Sequence, residues 1–267
     1  MSGRQAGAAA RALVGVGTAL TILGVSVAVL LNPIYIHAAL DASGSAAILG
    51  MTRQATHAVS DRTIGELVFG PATFAFSAVA GGPRFYDVAE ASHLHDASNL
   101  LHVFLAVTGL GLVVLLAILV PRRRDPDAWR AVQAGTAGLA GLIAAVGVFF
   151  AVAFDAAFTL FHEIFFPQGN WSFNPATERM VQLYPTPFWE LISMTLALVV
   201  LVLCVVAWLV ARARVRALEW SAEERGEFRP GIGSDPGGTA DEPAVRAARA
   251  PDPGAAADAA PAGPAPR

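Results

Sequence analysis

Two of the six histidines in this sequence sit among other groups that could work with them. His93 lies in EASHLHD, over 90–96, and His162 in FHEIFF, over 161–166. An imidazole takes up or releases a proton near neutral pH, and a neighbouring carboxylate orients the ring and favours its charged form. On a helix Glu90, His93 and Asp96 fall three apart and share one face, whereas His95 points elsewhere and matches His102 by spacing. Asp155 and His162 are seven apart and also share a face, with Asn170 and Trp171 following.

Other chemistries fail on residue type. FHEIFF begins like the zinc signature H-E-x-x-H, but Phe166 occupies the position of the second histidine ligand. Without that ligand the motif is rejected. There is no G-x-S-x-G elbow to supply a serine nucleophile. The single Cys204 excludes an intramolecular disulfide and lies deep in an apolar run, where a thiol is an inert core group. His37, His57 and His95 read as interfacial residues with their polar tips in water.

The elements that must hold these residues are membrane spans. The 267-residue chain is 55% hydrophobic, with a mean hydropathy of +0.53. Runs 12–31, 100–120, 134–154 and 191–210 each carry 20 or 21 residues without Asp, Glu or Arg. At about 1.5 Å per residue each crosses a ~30 Å hydrocarbon core. The first run is longer than a signal-peptide core and no convincing cleavage site follows, so it reads as a retained span. Arginine placement sets the orientation. Nine arginines flank the spans on the side of the termini, in short segments, and four (Arg53, Arg62, Arg84, Arg179) occupy the two longer connections. Both termini are therefore expected in the cytoplasm, with 32–99 and 155–190 facing outward. A net charge of −3 gives no sign of nucleic-acid binding.

The expected fold is all-α: an integral membrane four-helix bundle over 1–220 with an extracytoplasmic helical segment between the first and second spans. Asn32-Pro33 ends the first helix. A further helix is expected to start at Ser60. The apolar run 67–80, broken by Gly70 and Pro71, lies on the bilayer surface or against the bundle, and Gly81-Gly82-Pro83 turns the chain into the helix of span two. Residues 221–267 are rich in Pro, Gly and Ala and read as a disordered cytoplasmic tail, its partner unknown.

Depth connects the two histidines. His93 lies seven residues before the run at 100 and His162 eight after the run ending at 154. If both helices continue, each ring stands roughly 10–12 Å above the hydrocarbon edge. Spans two and three share a short link and are expected to be antiparallel neighbours, which brings the two imidazoles to one level near the headgroups. Such a pair suits acid–base chemistry on a lipid ester or headgroup.

The blocks E-x-x-H-L-x-D at 90–96 and FHEIFFPQGNWSFNP, followed by YPTPFW, at 161–189 resemble the lipoprotein intramolecular transacylase family of bacterial membrane proteins. The resemblance covers about residues 10–212. Leu94 stands where that family has methionine, and Ala97 and Ser98 stand where it has valine and a basic residue. The resemblance implies that His93 and His162 are catalytic and that Glu90, Asp96, Asn170 and Trp171 support them; Asp155 joins the supporting set by its spacing from His162, and no cofactor and no metal are expected. It implies a reaction that moves the sn-2 acyl chain of a diacylglyceryl lipoprotein onto the amine of its N-terminal cysteine. The partners implied are those lipoproteins and bilayer lipid. One histidine would deprotonate the amine, the other would protonate the departing glycerol oxygen, and Asn170 or a backbone N–H would stabilise the oxyanion. The alternatives are a metal-dependent lipid hydrolase using His93, His95, His162 and Glu163, a haem carrier using His102 and His162, and a non-enzymatic scaffold acting through the tail.

Overall fold

The computed structural model describes residues 3–224 and Gly226. Among them the order is α1 (Gly3–Leu30), α2 (Pro33–Ser43), α3 (Ser45–Leu49), α4 (Arg53–Val68), α5 (Val88–Leu119), α6 (Pro126–Val152), α7 (Phe154–Phe165), α8 (Arg179–Leu183) and α9 (Thr186–Glu224). Four of these, α1, α5, α6 and α9, are long and apolar enough to cross a membrane. The fold is all-α, with four candidate spans.

Local chemistry explains most boundaries. The Asn32 side chain accepts from the Ile34 N–H and Pro33 opens α2, so Asn32-Pro33 ends one helix and starts another. Asp125 and Pro126 do the same for α6. Asp87 and Glu90 form a reciprocal capping box at the start of α5. The cap of α4 is Thr52, not Ser60: Ser60 lies inside the helix, fully buried, and bonds the Tyr184 hydroxyl at 3.0 Å. The helix-start signal at Ser60 failed because tertiary burial claimed that hydroxyl.

Two expectations about the spans need correction. The run 134–154 is not one helix. Ala153 leaves helical geometry, with φ −141° and ψ 59°, so α6 stops at Val152 and α7 begins as a separate helix. Nor do α5 and α6 form the expected neighbouring pair. The main helix contacts are α1 with α5, α6 and α9, and α6 with α9, so α1 is the common partner. Its small residues allow this. A Cβ on Gly17 would stand 2.8 Å from the Gly111 carbonyl of α5, and one on Gly24 2.9 Å from Thr108. On the other side Gly135 of α6 lies so close to the Gly15 backbone that a side chain would overlap it.

Residues 33–85 are not a passive connection. Ile36, Leu40, Phe74 and Tyr86 share one buried cluster with Leu183 and Phe188 from the far end of the sequence. The apolar stretch after Gly70 thus lies against protein, with Phe74 and Phe76 buried. Phe74 holds a left-handed φ of 50°, and its N–H donates to Glu66 at 2.6 Å. The α9 helix runs through Glu224, four residues past the expected tail boundary. The rest of the expected tail lies outside the described residues, apart from Gly226.

Gly135→Leu should push α1 away from α6 and cost about 1–3 kcal/mol by overpacking. Thermal unfolding of the purified variant in detergent checks this, and a midpoint equal to that of the parent chain would show that the close approach is not required.

Candidate active site

The site begins with the fixing of α5. Glu90 is almost fully buried, and its two oxygens accept from backbone donors: Asp87 N–H at 2.8 Å and Met180 N–H at 2.6 Å. A buried carboxylate needs such partners. The carboxylate therefore ties the first turn of α5 to the start of α8. One helical turn on, His93 points into the interior.

His162 arrives on α7. The turn after it closes through Phe166 N–H to the His162 carbonyl at 2.7 Å and Gly169 N–H to the Phe166 carbonyl at 3.0 Å. Gly169 holds φ +78°, a conformation open to glycine at little cost. The chain reverses there and places Asn170 and Trp171 back over the histidines. Trp171 stands 5.0 Å from the His162 ring.

The two imidazoles lie 6.0 Å apart, centroid to centroid, and both residues are buried. Phe166 packs against both, at 4.7 Å from His93 and 5.5 Å from His162. The residue that spoils the zinc signature is thus a wall of the site. Phe161 and Phe165, in contrast, are exposed. The flanking acids act less directly than spacing suggested. Glu90 is committed to backbone, Asp155 is exposed, and His162 is oriented by a carbonyl: its Nδ1–H donates to Phe158 O at 2.8 Å. That contact leaves Nε2 with the lone pair. Asp96 accepts from Gln168 at 2.9 Å and from Asn170 Nδ2 at 2.7 Å. With its N–H side taken, Asn170 turns its Oδ1 inward and interacts with the His93 ring. Neither Asn170 Oδ1 nor His93 Nδ1 has a partner in full hydrogen-bond geometry. As placed, Asn170 offers an acceptor toward His93, with one Nδ2–H spent on Asp96.

Both rings line a cavity of about 620 Å³ whose walls are mostly apolar. Burial holds the His162 imidazole below its ordinary range, against the opposing pull of the Phe158 carbonyl. Burial also raises the Tyr184 phenol to about 12, so this cavity-lining group keeps its proton. Spacing did not single out Tyr184, Phe158 O or Gln168, since each acts through a contact distant in sequence or made by backbone.

The rival donor sets do not assemble. His95 Nδ1 donates to the Ala72 carbonyl at 3.2 Å, His102 Nε2 to the Val68 carbonyl at 3.0 Å, and Glu163 is exposed. Among the described residues no three His, Cys, Asp or Glu side chains are grouped to hold a metal ion. His37 and His57, expected as separate interfacial residues, form a second histidine pair. His37 and His57 stack at 4.1 Å, and each bonds the aspartate that follows the other, Asp61 at 2.7 Å and Asp41 at 2.9 Å. The repeated H-A-x-x-D at 37–41 and 57–61 is the signal that could have revealed this clasp between α2 and α4.

Four helices long and apolar enough to span a membrane, with a buried histidine pair in a largely apolar cavity, fit a membrane-integral enzyme of lipid chemistry. The family model for the lipoprotein intramolecular transacylase Lit matches residues 13–189, and the chain belongs to that family. The solved structure of the membrane-integral lipoprotein intramolecular transacylase Lit from Bacillus cereus is similar in fold. It has a TM-score of 0.69 and 17% identity, and the alignment covers 81% of this chain and 99% of that one. A form of the same protein with one histidine changed to alanine aligns at a TM-score of 0.64 and 16% identity, over 81% of this chain and 96% of that one. No curated protein matches the sequence.

Because the fold lowers the His162 pKa, the unfolded chain takes up this proton first as pH falls. The neutral ring's contribution to stability is complete above the ordinary histidine value of about 6.5 and declines as pH drops below it. NMR titration of His162 in the folded protein should give a midpoint below that value, and a midpoint at or above it would contradict the burial argument.

Proposed function

We propose that this membrane transacylase acts on diacylglyceryl lipoproteins at the outer leaflet, with His93 and His162 as its catalytic groups. The amine of the N-terminal cysteine attacks the sn-2 ester carbonyl. A C–N bond forms, the C–O bond to glycerol breaks, and the amine proton ends on the glycerol oxygen. Donor and acceptor belong to one molecule, so the protein's task is to hold a near-attack geometry and to carry the proton. The observation that carries this reading is the pair of buried imidazoles 6.0 Å apart in one apolar cavity.

The hydrogen bond of His162 supports dividing the roles. With Nδ1–H held by Phe158 O, Nε2 is the free base and burial keeps it neutral, so His162 is the group that takes the amine proton. Burial and the neighbouring His162 lower His93 to about 4, so its resting ring is neutral; it protonates the glycerol oxygen by relaying the proton that His162 has taken from the amine, and both rings end neutral. Asp96 positions Asn170, Trp171 shields His162, and Asp155 lines the cavity. Bilayer lipid is the second partner, surrounding the exposed apolar faces of the spans. The arginine asymmetry supports cytoplasmic termini and an outward site. The tail beyond α9 then lies across the membrane from the chemistry.

His93→Ala and His162→Ala should each remove most activity, and the double variant should lose little more, because the two act as one proton-transfer unit. His95→Ala, whose ring bonds the Ala72 carbonyl, should keep it. Mass spectrometry of lipoprotein N-termini from cells carrying each membrane-inserted variant reads the acyl group on the cysteine amine. Wild-type product from the His93 and His162 variants would refute the site. In the same cells, truncation after residue 226 should leave the product unchanged. A reporter fused there should be active only in the cytoplasm, and outer-side activity would reverse the topology.

A further inference from the structure

The cavity that holds the histidines has a direction. Its charged and hydroxyl-bearing lining residues, among them His93, Asp155, His162 and Ser172, belong to the segments outside the apolar runs. Beyond Thr186 every residue that α9 contributes is apolar, ending at Ile192 and Leu196, and α1 contributes only Val27 and Leu30, with Leu31 just past its end. The lower end is closed. Leu196 packs onto the cluster of Ile22, Leu139, Val200 and Cys204, in which Val200 is fully buried.

From Thr186 to Leu196 is ten residues, or about 15 Å of helix. A hydrocarbon core of ~30 Å is two leaflets deep, so one lipid chain occupies about the same 15 Å. We infer that the slot between α1 and α9 is the seat of the migrating acyl chain and that Leu196, at its far end, sets how long that chain can be. The inference rests on the transacylase reading and adds a length rule to it. With the ester carbonyl between His93 and His162, the attached chain has one apolar, closed path, down to Leu196. The retained chain has no such floor and lies along the lipid-facing surface. Filling the floor must then exclude the terminal methylenes of a long migrating chain, and deepening it must admit more.

The test uses the full-length protein in lipid nanodiscs with synthetic diacylglyceryl lipopeptides whose sn-2 and sn-1 chains are varied independently between octanoyl and palmitoyl. Leu196→Trp should lower the palmitoyl-to-octanoyl rate ratio at sn-2 by about tenfold or more, the scale expected when methylenes are denied a hydrophobic pocket. Leu196→Ala should raise that ratio, which keeps the test open should the larger residue prevent folding. The ratio for sn-1 length should stay constant in both. An unchanged sn-2 ratio in the folded variants, or a change confined to sn-1, would overturn the assignment of the slot. Parent protein that transfers no chain from any of these lipopeptides would instead overturn the reaction itself, and the length rule with it.

Discussion

The carboxylate of Glu90 is the fixed point from which the site is built. It is a carboxyl sealed from water: burial pushes its pKa up, and two backbone N–H groups, from Asp87 and Met180, converge on it and favour its charged form. One of those donors belongs to the helix that carries His93. The other belongs to the segment that runs through Tyr184 and Phe188 into α9 and forms the opposite wall of the cavity. Loss of one partner would strand a buried charge, a large penalty. The register between α5 and the α8–α9 wall is therefore held far more tightly than packing alone would hold it. His93 inherits that register one turn later.

The second constraint is the break at Ala153. A continuous α6 would have carried His162 straight on from its own span, and α6 packs on α1 and α9 and not on α5. Ending the helix at Val152 frees α7 to bring His162 to His93. The turn at Gly169 then returns Asn170 to Asp96 on α5. Both ends of the FHEIFF helix are thus set by backbone departures from helical geometry, and the histidine pair is where the two constraints meet.

These origins explain what was legible in the sequence. The spans were visible because hydrocarbon thickness demands long uncharged runs, and the caps at Asn32, Asp87 and Asp125 because capping is local. The equal depth of His93 and His162 was visible as spacing from the run ends, although the straight helix assumed for His162 was wrong. Ala153 gave no signal, since nothing in AVAFDAA marks an interruption. Ser60 misled because its hydroxyl answers to Tyr184, more than a hundred residues away. The role of Phe158 was hidden for another reason: its carbonyl, which every residue has, does the work. The His37–His57 clasp was legible as a repeated H-A-x-x-D but went unread, since each histidine taken alone looks like a solvated side chain.

The composition of the site fits an exchange within one molecule better than hydrolysis. The cavity offers two proton carriers and a largely apolar wall, and its one lining carboxylate is Asp155, on the first turn of α7. Hydrolysis needs water held and activated beside the ester, and that requires polar partners around it. Here the rings are packed among Phe158, Phe166, Phe173 and Trp171, which leaves few polar partners beside them. An amine delivered on the substrate itself needs no such cradle. Once the chain and the cysteine lie against the two rings, exclusion of water protects the ester, and the only acceptor within reach is the one tethered to the donor.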